Sequence, residues 1–190
     1  WSPDGRWIVC SHQRTPKVFE QNDLSIVSLD GGAPAPLVAT HANEVDPHVS
    51  RDGRAIAYVT SDDPPTWGTT AWVRIVGRDG GAPRALAPTF DERPSLVGWS
   101  ADGRALYVEE TYRTVGRLWR LPADGGPPVA VTPETMNVGQ PRVDRTGTAV
   151  GFVLAASDRA PEPYASRLEP FQPVQVAKVQ QLPNAEEAPL

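Results

Sequence analysis

Apolar and polar positions along this 190-residue chain alternate in short runs of strand length, and no window carries a sustained helical stripe. In one stretch the runs fall at 45–50, 55–60, 71–76 and 84–88, and in the next at 94–99, 105–109, 117–121 and 128–132. The pattern predicts groups of four β-strands and argues against a helical solenoid.

The punctuation between the runs recurs. Trp1-Ser2-Pro3-Asp4-Gly5-Arg6 returns as Val49-Ser50-Arg51-Asp52-Gly53-Arg54, as Trp99-Ser100-Ala101-Asp102-Gly103-Arg104, and as the weaker Val143-Asp144-Arg145-Thr146-Gly147-Thr148. A second phrase, Asp30-Gly31-Gly32-Ala33-Pro34, returns at Asp79 and, as Asp-Gly-Gly-Pro-Pro, at Asp124. The glycines of the first phrase lie 48, 50 and 44 positions apart and the leading aspartates of the second 49 and 45, so both markers share one period. A tight turn between twisted antiparallel strands needs positive φ, which glycine adopts without a Cβ clash, while aspartate bonds its own backbone. Asp4, Gly5, Asp52, Gly53, Asp102, Gly103 and Gly147 are therefore expected to be structural turn residues. Gly147, whose neighbours depart from the pattern, is expected to tolerate substitution best.

Four strands per repeat of this length mark a propeller blade. The expected fold is all-β: a partial β-propeller of about three complete four-stranded blades plus one incomplete N-terminal blade. The expected blades are 1–40, 44–89, 92–133 and 137–179, making an arc over 1–179 that a linker at 180–190 follows. The first unit starts at its own turn, without an initiator Met, and so lacks an innermost strand; the expectation is an arc cut from a larger ring. Loops around 12–22, 61–70, 110–116 and 156–162 should share one end of the blades, with both families of glycine turn at the other.

A net charge of −5 and no Lys/Arg cluster longer than two argue against a nucleic-acid groove. The longest apolar stretch, 149–156, is far too short to span a bilayer. The lone Cys10 excludes an internal disulfide and reads as a small strand hydrophobe. Nothing in these residues specifies localisation.

Catalytic chemistry is sparse. Gly98-Trp99-Ser100-Ala101-Asp102 imitates a Gly-x-Ser-x-Gly nucleophile elbow, but Asp102 stands where glycine is needed and the chain continues as strand rather than helix. His12 and His41 read as loop residues and His48 as a strand residue near the inner wall; their spacing offers no metal site, and no cofactor is expected. Two acidic pairs remain, Asp62-Asp63 and Glu109-Glu110, each at the end of a second strand. Paired carboxylates there could capture the amino terminus of a substrate, and Glu109 and Glu110 are the best candidates for substrate contacts.

The Trp-Ser-Pro-Asp-Gly-Arg phrase with its following apolar strand and Asp-Gly-Gly-x-Pro turn resembles the TolB-type propeller repeat. The same repeat builds the N-terminal propeller of prolyl oligopeptidase-type serine peptidases, including acylaminoacyl and dipeptidyl peptidases. Ala160-Pro161-Glu162-Pro163-Tyr164, Arg167-Leu168-Glu169-Pro170-Phe171-Gln172-Pro173 and Leu182-Pro183-Asn184 are similar to the closing blade and exit linker of bacterial members. The resemblance implies a non-catalytic, substrate-gating propeller whose partners are a C-terminal α/β-hydrolase domain in the same parent chain and short peptide substrates. The family's catalytic residues would lie in that domain, so none is assigned here. The alternative is a TolB-like interaction propeller with no enzyme attached.

Overall fold

The computed structural model describes residues 1–16, 21–66, 68, 70–156 and 159–176. The expected linker at 180–190 lies outside them, as do parts of the loops expected around 12–22, 61–70 and 156–162. Fifteen strands form four antiparallel sheets among the described residues. The first sheet is β1 (Trp7–Gln13), β2 (Asn22–Ser28) and β3 (Ala35–Val38). The second is β4 (Glu44–Val49), β5 (Ala55–Ser61), β6 (Ala71–Gly77) and β7 (Gly80–Ala85). The third is β8 (Ser95–Trp99), β9 (Ala105–Tyr112), β10 (Val115–Pro122) and β11 (Val129–Ala130), and the fourth β12 (Asn137–Val143), β13 (Ala149–Ala156), β14 (Arg159–Arg167) and β15 (Val174–Gln175). Each sheet is an up-and-down meander in sequence order, and the 3+4+4+4 arrangement is that of propeller blades. No helix of the described residues is long and apolar enough to cross a membrane.

Period-2 alternation explains how the sheets stack. Ile56 and Tyr58 of β5 pack with Trp7, Leu24 and Val38 of the first sheet, while Ala57 and Val59 pack with Leu96, Trp99, Leu106 and Val108 of the third. On β9, Leu106 and Val108 face back to the second sheet and Tyr107 faces forward to Val138, Val150 and Phe152 of the fourth. A strand with a neighbour on both faces buries both sets of side chains, which is why the middles of β5 and β9 are continuously apolar. Each buried Val, Leu or Ile among them contributes about 1.5–3 kcal/mol of burial.

The glycine turns share one end of every blade. Backbone bonds join the two families there in the first three blades, Leu29 N to Arg6 O, Arg78 N to Arg54 O and Ala123 N to Arg104 O, and in the fourth, whose second turn has no glycine, Leu168 N bonds Thr148 O, all at 2.8–2.9 Å. Gly5, Gly53, Gly103 and Gly147 have φ of 69°, 71°, 68° and 70°. The serine before each Asp-Gly does as much as the aspartate. The Ser50 hydroxyl donates to Asp52 Oδ1 at 2.6 Å and accepts from the Ala55 N–H at 2.9 Å, and Ser100 does the same with Asp102 and Ala105.

In the fourth blade one residue does both jobs. Asp144 occupies the serine slot; its Oδ1 accepts from the Thr148 and Ala149 N–H groups at 2.8 Å, and its Oδ2 accepts from the Thr146 N–H and hydroxyl. The turn that reads as degenerate is thus closed by more bonds to one carboxylate than its counterparts. Gly147 is also the most confined of the four. A Cβ there would lie 2.5 Å from Arg51 Nη2, 2.7 Å from Trp99 O and 2.8 Å from Ala101 N, whereas one on Gly103 would meet nothing within 4 Å. The expectation that Gly147 is the tolerant site is reversed by this packing.

Three further sequence expectations are corrected. The fourth strand of the second blade begins at Gly80 rather than near residue 84, because Gly77 pairs directly with Gly80 across a tight Arg78-Asp79 turn. The loop expected at 110–116 shrinks to Arg113-Thr114, since β9 and β10 stay paired out to Tyr112 and Val115. His12 lies on β1, opposite Asp23, rather than in a loop.

Candidate functional site

The innermost strands β4, β8 and β12 each break register midway against the next strand, between Val45 and His48, Leu96 and Gly98, and Gly139 and Arg142. These bulges occupy one repeat slot, filled by Asp46-Pro47-His48, Leu96-Val97-Gly98 and Gln140-Pro141-Arg142. Proline cannot complete a ladder and sits well in a bulge. Asp46 and Gln140 both take φ of 52°, a left-handed conformation that re-aims their side chains.

The bulges bring charged groups from three blades together. Asp46 Oδ1 lies 3.1 Å from His48 Nε2, and Asp46 Oδ2 accepts the Leu96 N–H of the next blade at 3.1 Å. Trp99 Nε1 donates to His48 O at 3.0 Å, tying the same two strands. Burial pushes the Asp46 carboxyl up, but the His48 hydrogen bond and charge, the Leu96 N–H and Arg142 together hold it below its ordinary value. Burial raises the Glu109 carboxyl, and the Gln140 N–H and the Arg142 charge offset this only in part. Arg142 therefore acts on both carboxylates. The cluster of Asp46, His48, Glu109 and Arg142 can bind a ligand carrying charges of both signs.

Beside these strands, at their turn end, lies a cavity of about 540 Å³ lined by Trp1, Ser2, His48, Arg51, Trp99 and Arg145, among others. Its size is that of a small-ligand site. Arg51 braces it across blades, donating to Ser100 O at 3.3 Å, Asp144 O at 3.4 Å and Arg145 O.

The structure separates the acidic pair singled out in the sequence. Successive strand residues point to opposite faces, so Glu109 meets Gln140 while Glu110, 3% exposed, accepts from the Thr89 hydroxyl and from the Arg93 N–H at 2.9 Å. Glu110 is an interior residue and not a rim carboxylate, and the two do not form one paired site. Ser100 is buried, with its hydroxyl committed to the turn. A Ser–His contact does occur elsewhere: His12 Nε2 lies 2.8 Å from Ser25 Oγ. Its other ring nitrogen faces the Gln13 carbonyl rather than a carboxylate, and Ser25 is buried in mid-strand, so it lacks the orienting acid and access of a nucleophile. Among the described residues no group of three or more His, Cys, Asp or Glu is arranged to hold a metal ion.

Asp46, Gln140 and Arg142 escaped the sequence reading. The available signal was the alignment of Asp-Pro-His with Gln-Pro-Arg in one repeat slot, since a proline inside a strand marks a bulge.

No family model matches the chain. It is 32% identical over 111 residues to a Tricorn protease homolog from Streptomyces coelicolor, covering 56% of this chain and 10% of that protein. It is 34% identical over 79 residues to dipeptidyl-peptidase 5 of Trichophyton equinum, covering 41% of this chain and 11% of the relative. The chain thus spans about a tenth of the length of the curated relatives it matches. Among solved structures, a putative TolB from Agrobacterium tumefaciens superposes with a TM-score of 0.72 at 19% identity over 94% of this chain and 60% of that one. A puromycin-hydrolyzing peptidase from Mycobacterium tuberculosis does so with a TM-score of 0.67 at 20% identity, over 96% of this chain and 30% of that one. These superpositions identify the fold as a β-propeller. The sequence likeness is to regions of peptidases.

Proposed function

We propose that this chain is the substrate-gating propeller portion of a prolyl oligopeptidase-type serine peptidase and supplies no catalytic group itself. The observation that carries the reading is the convergence of Asp46, His48, Glu109 and Arg142 beside the inner-strand bulges, in a chain whose curated relatives are peptidases. A short peptide offers an ammonium, carbonyls and a carboxylate. Asp46 and Glu109 suit the first, and Arg142 suits the others. A narrow, charge-lined passage admits short chains, excludes folded proteins and positions the substrate in a water-poor space. Acyl transfer belongs to an α/β-hydrolase domain joined to this propeller in the parent protein. That each peptidase relative extends far beyond its matched region supports such a division of labour.

The test is the full reading frame of the gene. It should encode an α/β-hydrolase domain with its own serine nucleophile, and the expressed protein should cleave chromogenic dipeptide substrates and leave folded proteins intact. Arg142→Gln should raise KM with kcat nearly unchanged, because the contact is made equally in ground and transition states. An absent hydrolase domain would favour the interaction-propeller reading, for which the TolB superposition is the supporting observation. Unaltered kinetics in Arg142→Gln would remove the gating role of this cluster.

A further inference from the structure

Glu44, the first residue of β4, is 1% exposed; its Oε1 accepts the Thr40 hydroxyl, and its Oε2 has no hydrogen-bond partner. Asp62 divides its oxygens in the same way. Oδ2 accepts the Thr66 hydroxyl at 2.7 Å, and Oδ1 is buried without a partner. Arg74 adds the opposite polarity, a buried Nε–H with no acceptor. All three side chains line one cavity of about 270 Å³ beneath the β3–β4 connection, together with Trp72 and Tyr58.

Buried polar atoms are rarely left unpaired, and three that belong to residues lining one cavity indicate what would complete them once a ligand draws them toward it. Two are negatively charged acceptors and one is a charged donor. Glu44, Asp62 and Asp63 against Arg74 leave the lining with negative charge in excess, which selects a cation, and Trp72 in the same lining is an aromatic residue of the kind that favours one. The carboxylates are not gathered as a metal-ligand set, and Arg74 among them disfavours a bare ion. The Arg74 N–H further requires that the ligand carry an oxygen acceptor.

We infer that this crevice binds a small organic cation in which an ammonium stands beside a hydroxyl or carbonyl oxygen, the unit shared by amino alcohols and amino-acid amides. The ammonium sits between Glu44 Oε2 and Asp62 Oδ1, and the neighbouring oxygen accepts from Arg74. Burial, tempered by the Thr40 hydroxyl, holds the Glu44 carboxyl above its ordinary value, so a cation against Oε2 also relieves the strain of ionising it. The inference stands independently of the gating role proposed above, because none of these residues belongs to the inner-strand cluster.

The test titrates the ¹⁵N-labelled chain with ethanolamine, glycinamide, n-propylamine and ethylene glycol while following the Trp72 indole N–H. Ethanolamine or glycinamide should give a saturable one-site shift, and the tighter of the two identifies the source of the ligand. n-Propylamine should bind roughly tenfold more weakly, and ethylene glycol not at all. Glu44→Gln should abolish binding with the rest of the spectrum preserved, and Arg74→Gln should erase the preference over n-propylamine. No saturable shift with either leading ligand, equal affinity for n-propylamine in the unaltered chain, or binding that survives Glu44→Gln overturns the inference. Should Glu44→Gln fail to fold, the four-ligand comparison and Arg74→Gln decide it.

Discussion

Gly147→Ala should destabilise the chain far more than Gly103→Ala, although the sequence around Gly103 is the better match to the repeat. Both residues hold φ near 70°, and a non-glycine residue in that conformation costs about 1–2 kcal/mol. At Gly103 that is the whole effect, because a new Cβ meets no atom within 4 Å. At Gly147 the Cβ overlaps two backbone atoms of the neighbouring blade, Trp99 O at 2.7 Å and Ala101 N at 2.8 Å. Neither can move without shifting the Ser100 turn. Arg51 Nη2, at 2.5 Å, can swing away, but only by giving up its bond to Asp144 O. Overpacking of this kind costs about 1–3 kcal/mol.

The expected totals are therefore about 1–2 kcal/mol for Gly103→Ala and about 2–5 kcal/mol for Gly147→Ala. Urea melts of both variants measure the difference, which should appear in the midpoint with the slope unchanged. Arg51→Ala in the Gly147→Ala background should recover a small part of the loss, since it removes the flexible obstruction and leaves the backbone one. Equal losses at the two glycines, or a larger one at Gly103, would refute the packing argument and show that the fourth blade's turn does not press on the third in solution.

Ser100→Ala should lower stability by about 1–3 kcal/mol, through the buried Ala105 N–H left without an acceptor, and under the proposed function it should leave any peptidase activity of the longer protein untouched; melts and parallel kinetics check both halves. Asp52, Asp102 and Asp144 have carboxyls held below the ordinary 3.8, chiefly by the Ser50, Ser100 and Thr146 hydroxyls. A depressed folded-state value means that this stability is present above the unfolded value and is lost as pH falls below 3.8. The deficit of Asp144→Asn should accordingly be full at pH 7 and shrink on the acid limb of a melting series. Glu44 has the opposite sign: burial raises its carboxyl, with Asp23 adding to the shift and the Thr40 hydroxyl and Arg14 opposing it. Its unfavourable ionisation grows as pH rises through the folded value, so Glu44→Gln should raise Tm at pH 7 and have little effect at pH 4; a Tm unchanged at both would contradict the burial of a charged Glu44.

Much of this architecture was legible in the chain because propeller blades are written in local signals. The glycine turns and apolar runs between them are short-range features, and the all-β meander of four sheets follows from them. What stayed hidden depends on neighbours in space. Glu110 reads as half of an exposed acidic pair until β9 is seen to continue to Tyr112, which turns Glu110 inward to Thr89. Asp144 reads as a lapse in the repeat because the slot it fills is a serine slot, and a carboxylate whose oxygens stand one atom further out reaches the same N–H groups. Gly147 reads as dispensable because its constraint comes from Trp99 and Ala101, more than forty positions away.

Repeat and departure from repeat divide the labour in this molecule. Positions that recur in each blade, such as Ser50 and Ser100, satisfy backbone groups and are saturated with partners. The inner-strand bulge recurs as backbone geometry, yet its occupants change from Asp46 and His48 to Leu96 and Gly98 to Gln140 and Arg142. A bulge re-aims whatever side chain it holds, so one scaffold feature delivers a different chemical group from each blade. A repeating fold must break its own sequence symmetry to make an asymmetric site, and the breaks that leave the backbone period intact are the ones that can be spent on binding.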